Sequence, residues 1–234
     1  MKFETALTKG TLIKRYKRFL ADIILESGEE ITAHCANTGS MKTCGKQGDT
    51  VWLSYHPSPK RKLAYSWEFT EVENGYIGIN TALPNRLVYE AIESGSIKEL
   101  KGYDILKREV KYGEKSRIDI YLEDSKAILK PCYVEVKNVT LLGDDCILFP
   151  DAVTTRGQKH LDELAKMVDE GYRSVMFYLV NRPEGDYFKI ADHIDPDYKE
   201  KLIAAQDKGV ELLAYRASSD LKTYNVTDSV KIKI

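Results

Sequence analysis

The sequence has no long apolar run. None approaches the roughly 18 residues needed to cross a bilayer, so no helical membrane span and no membrane partner are expected. The opening residues Met1-Lys2-Phe3-Glu4 form no signal-peptide core, which predicts a protein that stays in the cytoplasm. Cysteine is sparse: Cys35, Cys44, Cys132 and Cys146 need not form a disulfide framework in an intracellular chain of 234 residues. Charge is balanced, with 35 Lys+Arg against 36 Asp+Glu, so any nucleic-acid surface must be local. The two tryptophans, Trp52 and Trp67, are few and sit in expected strands, which leaves direct sugar binding with little support. His160 and His193 have no His or Cys partner at metal spacing and read as ordinary residues. His34, Cys35 and Cys44 lack a C-x2–4-C unit and a second ligand pair, so they do not spell a zinc site. Cys35 reads as a small core residue, and Asn37-Thr38-Gly39-Ser40 as a tight loop beside which a ligand phosphate could lie.

What is present is ordinary globular composition, 43% hydrophobic and 30% charged, in a chain long enough to hide roughly 70% of its unfolded surface. Residues 1–80 read as short strands and turns. Leu12–Leu25 is too long for one flat strand unless it coils, Ile31–Cys35 returns after the Ser27-Gly28-Glu29 turn, and Val51–Tyr55 is β-branched and aromatic. Leu63–Val72 and Tyr76–Ile79 flank Asn74-Gly75, a type I′ hairpin signal. Five or so strands in so short a span predict a small closed or nearly closed barrel.

Residues 81–234 change to mixed α and β. Pro84 opens a helix with the stripe Leu87, Val88, Ala91, Ile92, stopped at Gly95. Strand-like runs follow at 104–112, 117–122 and 132–141, then a helix over 155–170 with Leu161, Leu164, Ala165 and Val168 at helical spacing. Residues 174–180 form a continuous apolar run typical of a strand covered on both faces. Helix 196–208 and strands at 210–215 and 229–234 complete an α/β layer with some parallel pairing.

The candidate chemistry lies on the pair of strands at 117–122 and 132–137. The period of two puts Ile118, Ile120 and Leu122 on one face and Arg117, Asp119 and Tyr121 on the other; the second strand divides into Cys132, Val134, Val136 and Tyr133, Glu135, Lys137. A hairpin centred near residue 127 sets Asp119 opposite Glu135, with Cβ atoms roughly 5 Å apart. Two carboxylates that close repel unless a positive charge sits between them. A hard divalent cation such as Mg2+ fits, because it prefers carboxylate oxygen and shares sites with substrate phosphate. Lys137, on the same face, is placed to steady a phosphoryl oxygen or polarise a water. The bland alternative is a solvated hairpin face whose cross-strand charges contribute about 0.2–1 kcal/mol.

An Asp, a strand later Glu-x-Lys, then a helix carrying Gln158 resembles the PD-(D/E)XK nuclease core. More specifically, nearly the whole chain resembles the sugar fermentation stimulation protein A (SfsA) family. The stretches that carry this are LIKRYKRFLADI (12–23), HCANTGSMKTCG (34–45), KRKLAYSWEF (60–69), NTALPNRLVYEAI (80–92), LKGYDILKREVKYGEKSRIDIYL (100–122), CYVEVKNVTL (132–141), FPDAVTTRGQKHLDEL (149–164), IDPDYKEKL (194–202) and GVELLAY (209–215). The resemblance implies an α/β protein with an N-terminal OB-fold-like barrel and a C-terminal PD-(D/E)XK nuclease-like domain, a role in DNA binding, and a regulatory link to sugar metabolism. It also implies Asp119 and Glu135 as ligands of Mg2+ or Mn2+, Lys137 as the catalytic lysine and Gln158 as a further catalytic residue. Glu90, on the preceding helix, is the natural match for a further metal carboxylate. It lies off the centre of the Leu87–Ala91 stripe and is equally well read as solvated; Glu109 is a weaker alternative. Gln158 borders the sheet-packing face, where a capping role competes with a catalytic one, and Asp151 reads as a helix-start residue before a ligand.

A second signal is basic. Lys14, Arg15, Lys17 and Arg18 surround Tyr16 and Phe19 with no acid among them, and Lys60-Arg61-Lys62 precedes Tyr65 and Trp67. Cations for phosphates and aromatics for base stacking are what single-strand binding on a small barrel uses, although Tyr16 and Phe19 are expected in the core. The functional expectation is a DNA-binding protein with a Mg2+-dependent phosphodiester-cleaving site. The alternative is a non-catalytic DNA-binding regulator linked to sugar fermentation. Near-zero net charge favours weak, non-specific DNA binding in either case.

Overall fold

A computed structural model of the chain describes residues 1–113 and 116–234. Six strands come first: β1 (Thr8–Tyr16), β2 (Leu20–Leu25), β3 (Glu30–His34), β4 (Thr50–Tyr55), β5 (Tyr65–Val72) and β6 (Gly75–Gly78). They run in the order β3-β2-β1-β4-β5-β6, and pairing of β3 with β5 at His34↔Ser66 closes the first five into a barrel. Inward residues alternate with outward ones, so Leu12, Ala21, Ile23, Ala33, Val51, Leu53 and Trp67 fill the interior. Leu12–Leu25 does not coil as one strand. It is a hairpin turned by Lys17-Arg18-Phe19, where Lys17 and Arg18 take φ of 48° and 64°. The second hairpin forms, but its loop is Glu73-Asn74 rather than Asn74-Gly75, because Gly75 already pairs with Val72.

The remainder is layered. A mixed sheet runs in the order β15 (Tyr224–Ser229), β14 (Glu211–Ser219), β12 (Arg173–Val180), β9 (Cys132–Val139), β8 (Ser116–Glu123), β7 (Ile105–Tyr112), with β9, β12 and β14 mutually parallel. A smaller sheet joins β10 (Leu141–Leu142), β11 (Ile147–Phe149), β13 (Tyr187–Ile190) and β16 (Lys231–Lys233). α1 (Pro84–Glu93) covers one face of the large sheet; α2 (Thr155–Asp169) and α3 (Pro196–Asp207) cover the other. β12 feeds both cores, with Val175, Phe177 and Leu179 towards α1 and Met176, Tyr178 and Val180 towards α2 and α3. That double burial is why it reads as an unbroken apolar run. All four cysteines are buried and free. No helix is long and apolar enough to cross a membrane among the described residues.

The first residues do not belong to the barrel, contrary to the reading of 1–80 as one unit. Lys2 bridges to Thr223, and the Met1 ammonium donates to the Tyr224 carbonyl at 2.8 Å. The halves are further joined by Phe69 against Tyr224, at 4.9 Å between ring centres, and by the buried Arg182, which donates to the Thr140 carbonyl at 2.6 Å and Thr43 Oγ1 at 3.1 Å.

Candidate metal and nucleic-acid sites

The β8–β9 ladder pairs Ile120↔Val134, Tyr121↔Tyr133 and Leu122↔Cys132, the register that sets Asp119 across from Glu135. The backbone ladder then stops. Asp119 Oδ2 accepts the Val136 N–H at 2.8 Å, so a carboxylate replaces the next main-chain acceptor and the two strands part around it. Across from Asp119 on β7, Glu109 takes φ 54°. The expected common face of Ile118, Ile120 and Leu122 is broken there: Ile118 joins the α2-side core, while Ile120 and Leu122 pack on the α1 side. Glu109 itself is exposed.

At this parting point the two acids are tuned in opposite directions. Asp119 Oδ1 accepts from Asn85 Nδ2 of α1 at 2.7 Å. Burial, and then the charge of Glu135, push its pKa from 3.8 up to about 6, against the pull of its two hydrogen bonds. Glu135 is 2% exposed. Burial pushes it up, but its hydrogen bond with His160 and the Lys137 charge outweigh that, so it sits below the ordinary glutamate value. Lys137 Nζ donates to Glu135 Oε1 at 2.8 Å and lies 3.0 Å from His160 Nδ1. Glu135 Oε2 is buried and has no hydrogen-bond partner among the described residues. An unsatisfied carboxylate oxygen beside a second acid is a donor set for a hard cation, which keeps several waters and needs only one or two protein carboxylates. No group of three or more His, Cys, Asp or Glu side chains is arranged to hold a metal ion by itself among the described residues.

Four expectations about this site are corrected. Glu90 is turned away: its carboxylate pairs with the Met1 ammonium at 2.9 Å and with Arg86 at 2.7 Å. Asn85 reaches Asp119 from the same helix instead. Gln158 also points elsewhere, donating to Asp195 Oδ1 at 2.9 Å. Asp195 caps α3 through the Tyr198 N–H and accepts the Thr154 N–H, so Gln158 ties two helix starts together. His160, read as ordinary, is the α2 residue that enters the cluster. Asp151 is not the helix start either, since Thr154 caps α2.

The basic clusters fall at one end of the barrel. Lys17 and Arg18 form the β1–β2 loop and Lys60-Arg61-Lys62 lies in the β4–β5 loop, the two loops that OB-type barrels use on oligonucleotides. Phe19, expected in the core, is 47% exposed and stacks on His34, with ring centres 6.5 Å apart and planes within 9°. His34 in turn lines a cavity with Arg61, Lys62 and Ser66, so the two loops share one surface. Not every cation is free to bind phosphate. Arg15 donates to the carbonyls of Arg18, Asn37 and Gly39, and Lys14 lies 3.6 Å from Asp22 Oδ2.

Comparison with known proteins agrees along the full chain. Residues 13–79 match the family model described as the SfsA N-terminal OB domain, and residues 82–223 match the sugar fermentation stimulation protein RE domain. The sugar fermentation stimulation protein homolog of Geotalea uraniireducens is 51% identical over 234 residues, covering 100% of both chains. That of Marinomonas sp. is 53% identical, covering 99% of this chain and 90% of its own. The structure of Pyrococcus furiosus SfsA in complex with Ca2+ superposes with a TM-score of 0.88 at 26% identity, covering 100% of this chain and 98% of that one.

Proposed function

This chain belongs to the sugar fermentation stimulation protein family, and from that premise we propose that it binds DNA through its barrel and cleaves phosphodiesters at a Mg2+ or Mn2+ site. The observation that carries the metal reading is the buried Glu135 Oε2, which has no hydrogen-bond partner among the described residues, beside an Asp119 whose proton is held to about pH 6. Asp119 and Glu135 would hold the ion, which when bound supplies charge neutralisation and Lewis acidity to a phosphate. The chain's own groups do the rest. Asn85 and the Val136 N–H fix the Asp119 carboxylate, His160 keeps Glu135 ionised, and the Lys137 ammonium, 2.8 Å from Glu135, is within reach of a phosphoryl oxygen. The Pyrococcus furiosus relative was solved with Ca2+, an ion of the same oxygen-seeking class.

DNA binding rests on the exposed Phe19–His34 stack between two basic loops. Stacking on aromatics together with backbone contacts suits single-stranded, sequence-tolerant binding. A second reading keeps this surface and drops the chemistry: a non-catalytic regulator linked to sugar fermentation. The outward turn of Glu90 and Gln158, which leaves two carboxylates rather than three, favours it.

Calorimetry of Mg2+ and Mn2+ binding to the wild type and to Asp119→Asn/Glu135→Gln, with plasmid and single-strand cleavage on the same samples, separates the two. Metal binding and cleavage lost together in the variant support the enzyme. Salt-dependent DNA retention with no metal binding supports the regulator.

A further inference from the structure

The Asn37-Thr38-Gly39-Ser40 loop is held from three directions. Arg15 Nη2 donates to the Asn37 and Gly39 carbonyls at 2.7 and 3.2 Å, and Thr81 Oγ1 donates to the Ala36 carbonyl at 2.9 Å. The Ser40 N–H and hydroxyl both donate to Asp151 Oδ2, at 2.7 and 3.0 Å. This approach is close enough that a Cβ on residue 39 would lie 2.6 Å from that oxygen, which is why glycine stands there. Between the loop and the end of β9 the fold leaves a cavity of about 190 Å3, lined by Asn37, Thr38, Asn138, Thr140 and Asp151 among others.

The cavity is ill suited to a phosphate. No Lys, Arg or His lines it, and its one ionisable side chain is the Asp151 carboxylate. The Gly39 and Ser40 N–H groups, which could have made an anion nest, already donate to Asn37 Oδ1 at 2.8 Å and to Asp151. Besides the Asp151 carboxylate the lining is neutral, amides and hydroxyls with Leu141, Leu148 and Phe149 beside them, and Asp151 Oδ1 accepts no hydrogen bond from the described residues. Sequence continuity brings the cavity towards the carboxylate cluster: Asn138 follows Lys137 on β9, and Thr81 stands in the turn before α1, four residues ahead of Asn85, whose amide holds Asp119.

We infer that this cavity is a nucleoside subsite. It takes the neutral base and sugar of the nucleotide next to the phosphate at Asp119 and Glu135, with Asp151 Oδ1 accepting from a ring N–H, an amine or a sugar hydroxyl. The inference rests on the proposed phosphodiester site and names what that site holds besides phosphate.

The test is calorimetric titration of the full chain, with Ca2+ present, using the four deoxynucleoside 5′-monophosphates, deoxyribose 5-phosphate, inorganic phosphate and glucose. At least one mononucleotide is expected to bind about tenfold or more tightly than deoxyribose 5-phosphate, the scale of a good hydrogen bond. That margin is expected to vanish in Thr38→Leu, where the residue is exposed and the substitution fills the cavity mouth without touching the core. Asp151→Asn, which keeps an acceptor for Ser40, is expected to change the ranking of the bases. Equal binding of mononucleotides and deoxyribose 5-phosphate, a margin that survives Thr38→Leu, or competition by glucose would each overturn the nucleoside subsite. Metal binding and DNA retention measured on the same protein separate the failures. If both are present without a mononucleotide margin, only the subsite falls; if both are absent, the phosphodiester reading falls with it.

Discussion

Asp119→Asn is expected to make the metal-free protein more stable at neutral pH while removing its response to metal. In the folded chain the Asp119 carboxyl keeps its proton up to about pH 6, whereas the ordinary value is 3.8. The folded state therefore binds more protons than the unfolded state between those values. Stability falls as pH rises through that window and stays lower above it. At 1.36 kcal/mol per pH unit the full penalty is about 3 kcal/mol. Asparagine removes the charge but keeps only one acceptor oxygen for the Asn85 and Val136 donors, forfeiting about 1 kcal/mol. The net gain is about 2 kcal/mol at about pH 8, shrinking by about 1.4 kcal/mol at about pH 5, where the wild-type carboxyl is largely protonated. Urea denaturation at the two pH values measures both. Adding Mg2+ or Mn2+ at about a hundred times its dissociation constant should stabilise the wild type by about 2.7 kcal/mol and leave the variant unmoved. A variant no more stable than the wild type at the higher pH, or one still stabilised by metal, would refute the reasoning.

Lys137→Met leaves the buried Glu135 with His160 as its remaining partner; we expect a loss on the order of 3 kcal/mol in urea melts, retained metal binding and no cleavage. Lys17→Asn with Arg18→Gly relieves two positive-φ residues, which cost about 1–2 kcal/mol each; the barrel should become more stable while DNA retention falls and its salt slope drops by about 2. Arg15→Ala should do the reverse of a surface change, costing about 2 kcal/mol in stability because its guanidinium holds three backbone carbonyls. Glu90→Gln should leave metal affinity unchanged in calorimetry, while Asn85→Ala weakens it, because Asn85, not Glu90, touches Asp119.

The barrel and the site hairpin were legible because sterics and burial agree there. In β8 and β9 a one-residue slip would turn every apolar side chain to the wrong face, so the pattern fixes the parity of the register, and a hairpin centred near residue 127 gives the observed Ile120↔Val134 pair. What the pattern could not carry is the point where the ladder gives way. The period of two assumes continued main-chain pairing, but Asp119 intercepts the Val136 N–H with its side chain, and beyond that point parity no longer predicts the face. Two strands of the smaller sheet, β11 and β13, escaped for a different reason: they span only three and four residues, too few for alternation to register, and they pair with each other across a long stretch of sequence.

The helical contributions were mis-assigned by resemblance where geometry would have corrected them. Residues 158 and 160 lie about 200° apart around an α-helix, so Gln158 and His160 cannot both face the sheet. Running the Leu161, Leu164, Ala165 stripe back by four positions selects Gly157 and His160, and both are buried. Gln158 lies at the border of the stripe, half-buried, and meets Asp195. The basic clusters repeat the lesson at the surface. Cations adjacent in sequence are not equivalent, because β1 points Arg15 back at its own loops while the turn beyond it projects Lys17 and Arg18 into solvent. A DNA strand arriving at that end therefore meets the turn and Phe19 first. Arg15 acts behind them, holding the 37–40 loop that Asp151 ties to the second half of the chain, so its loss should register in stability before it registers in binding.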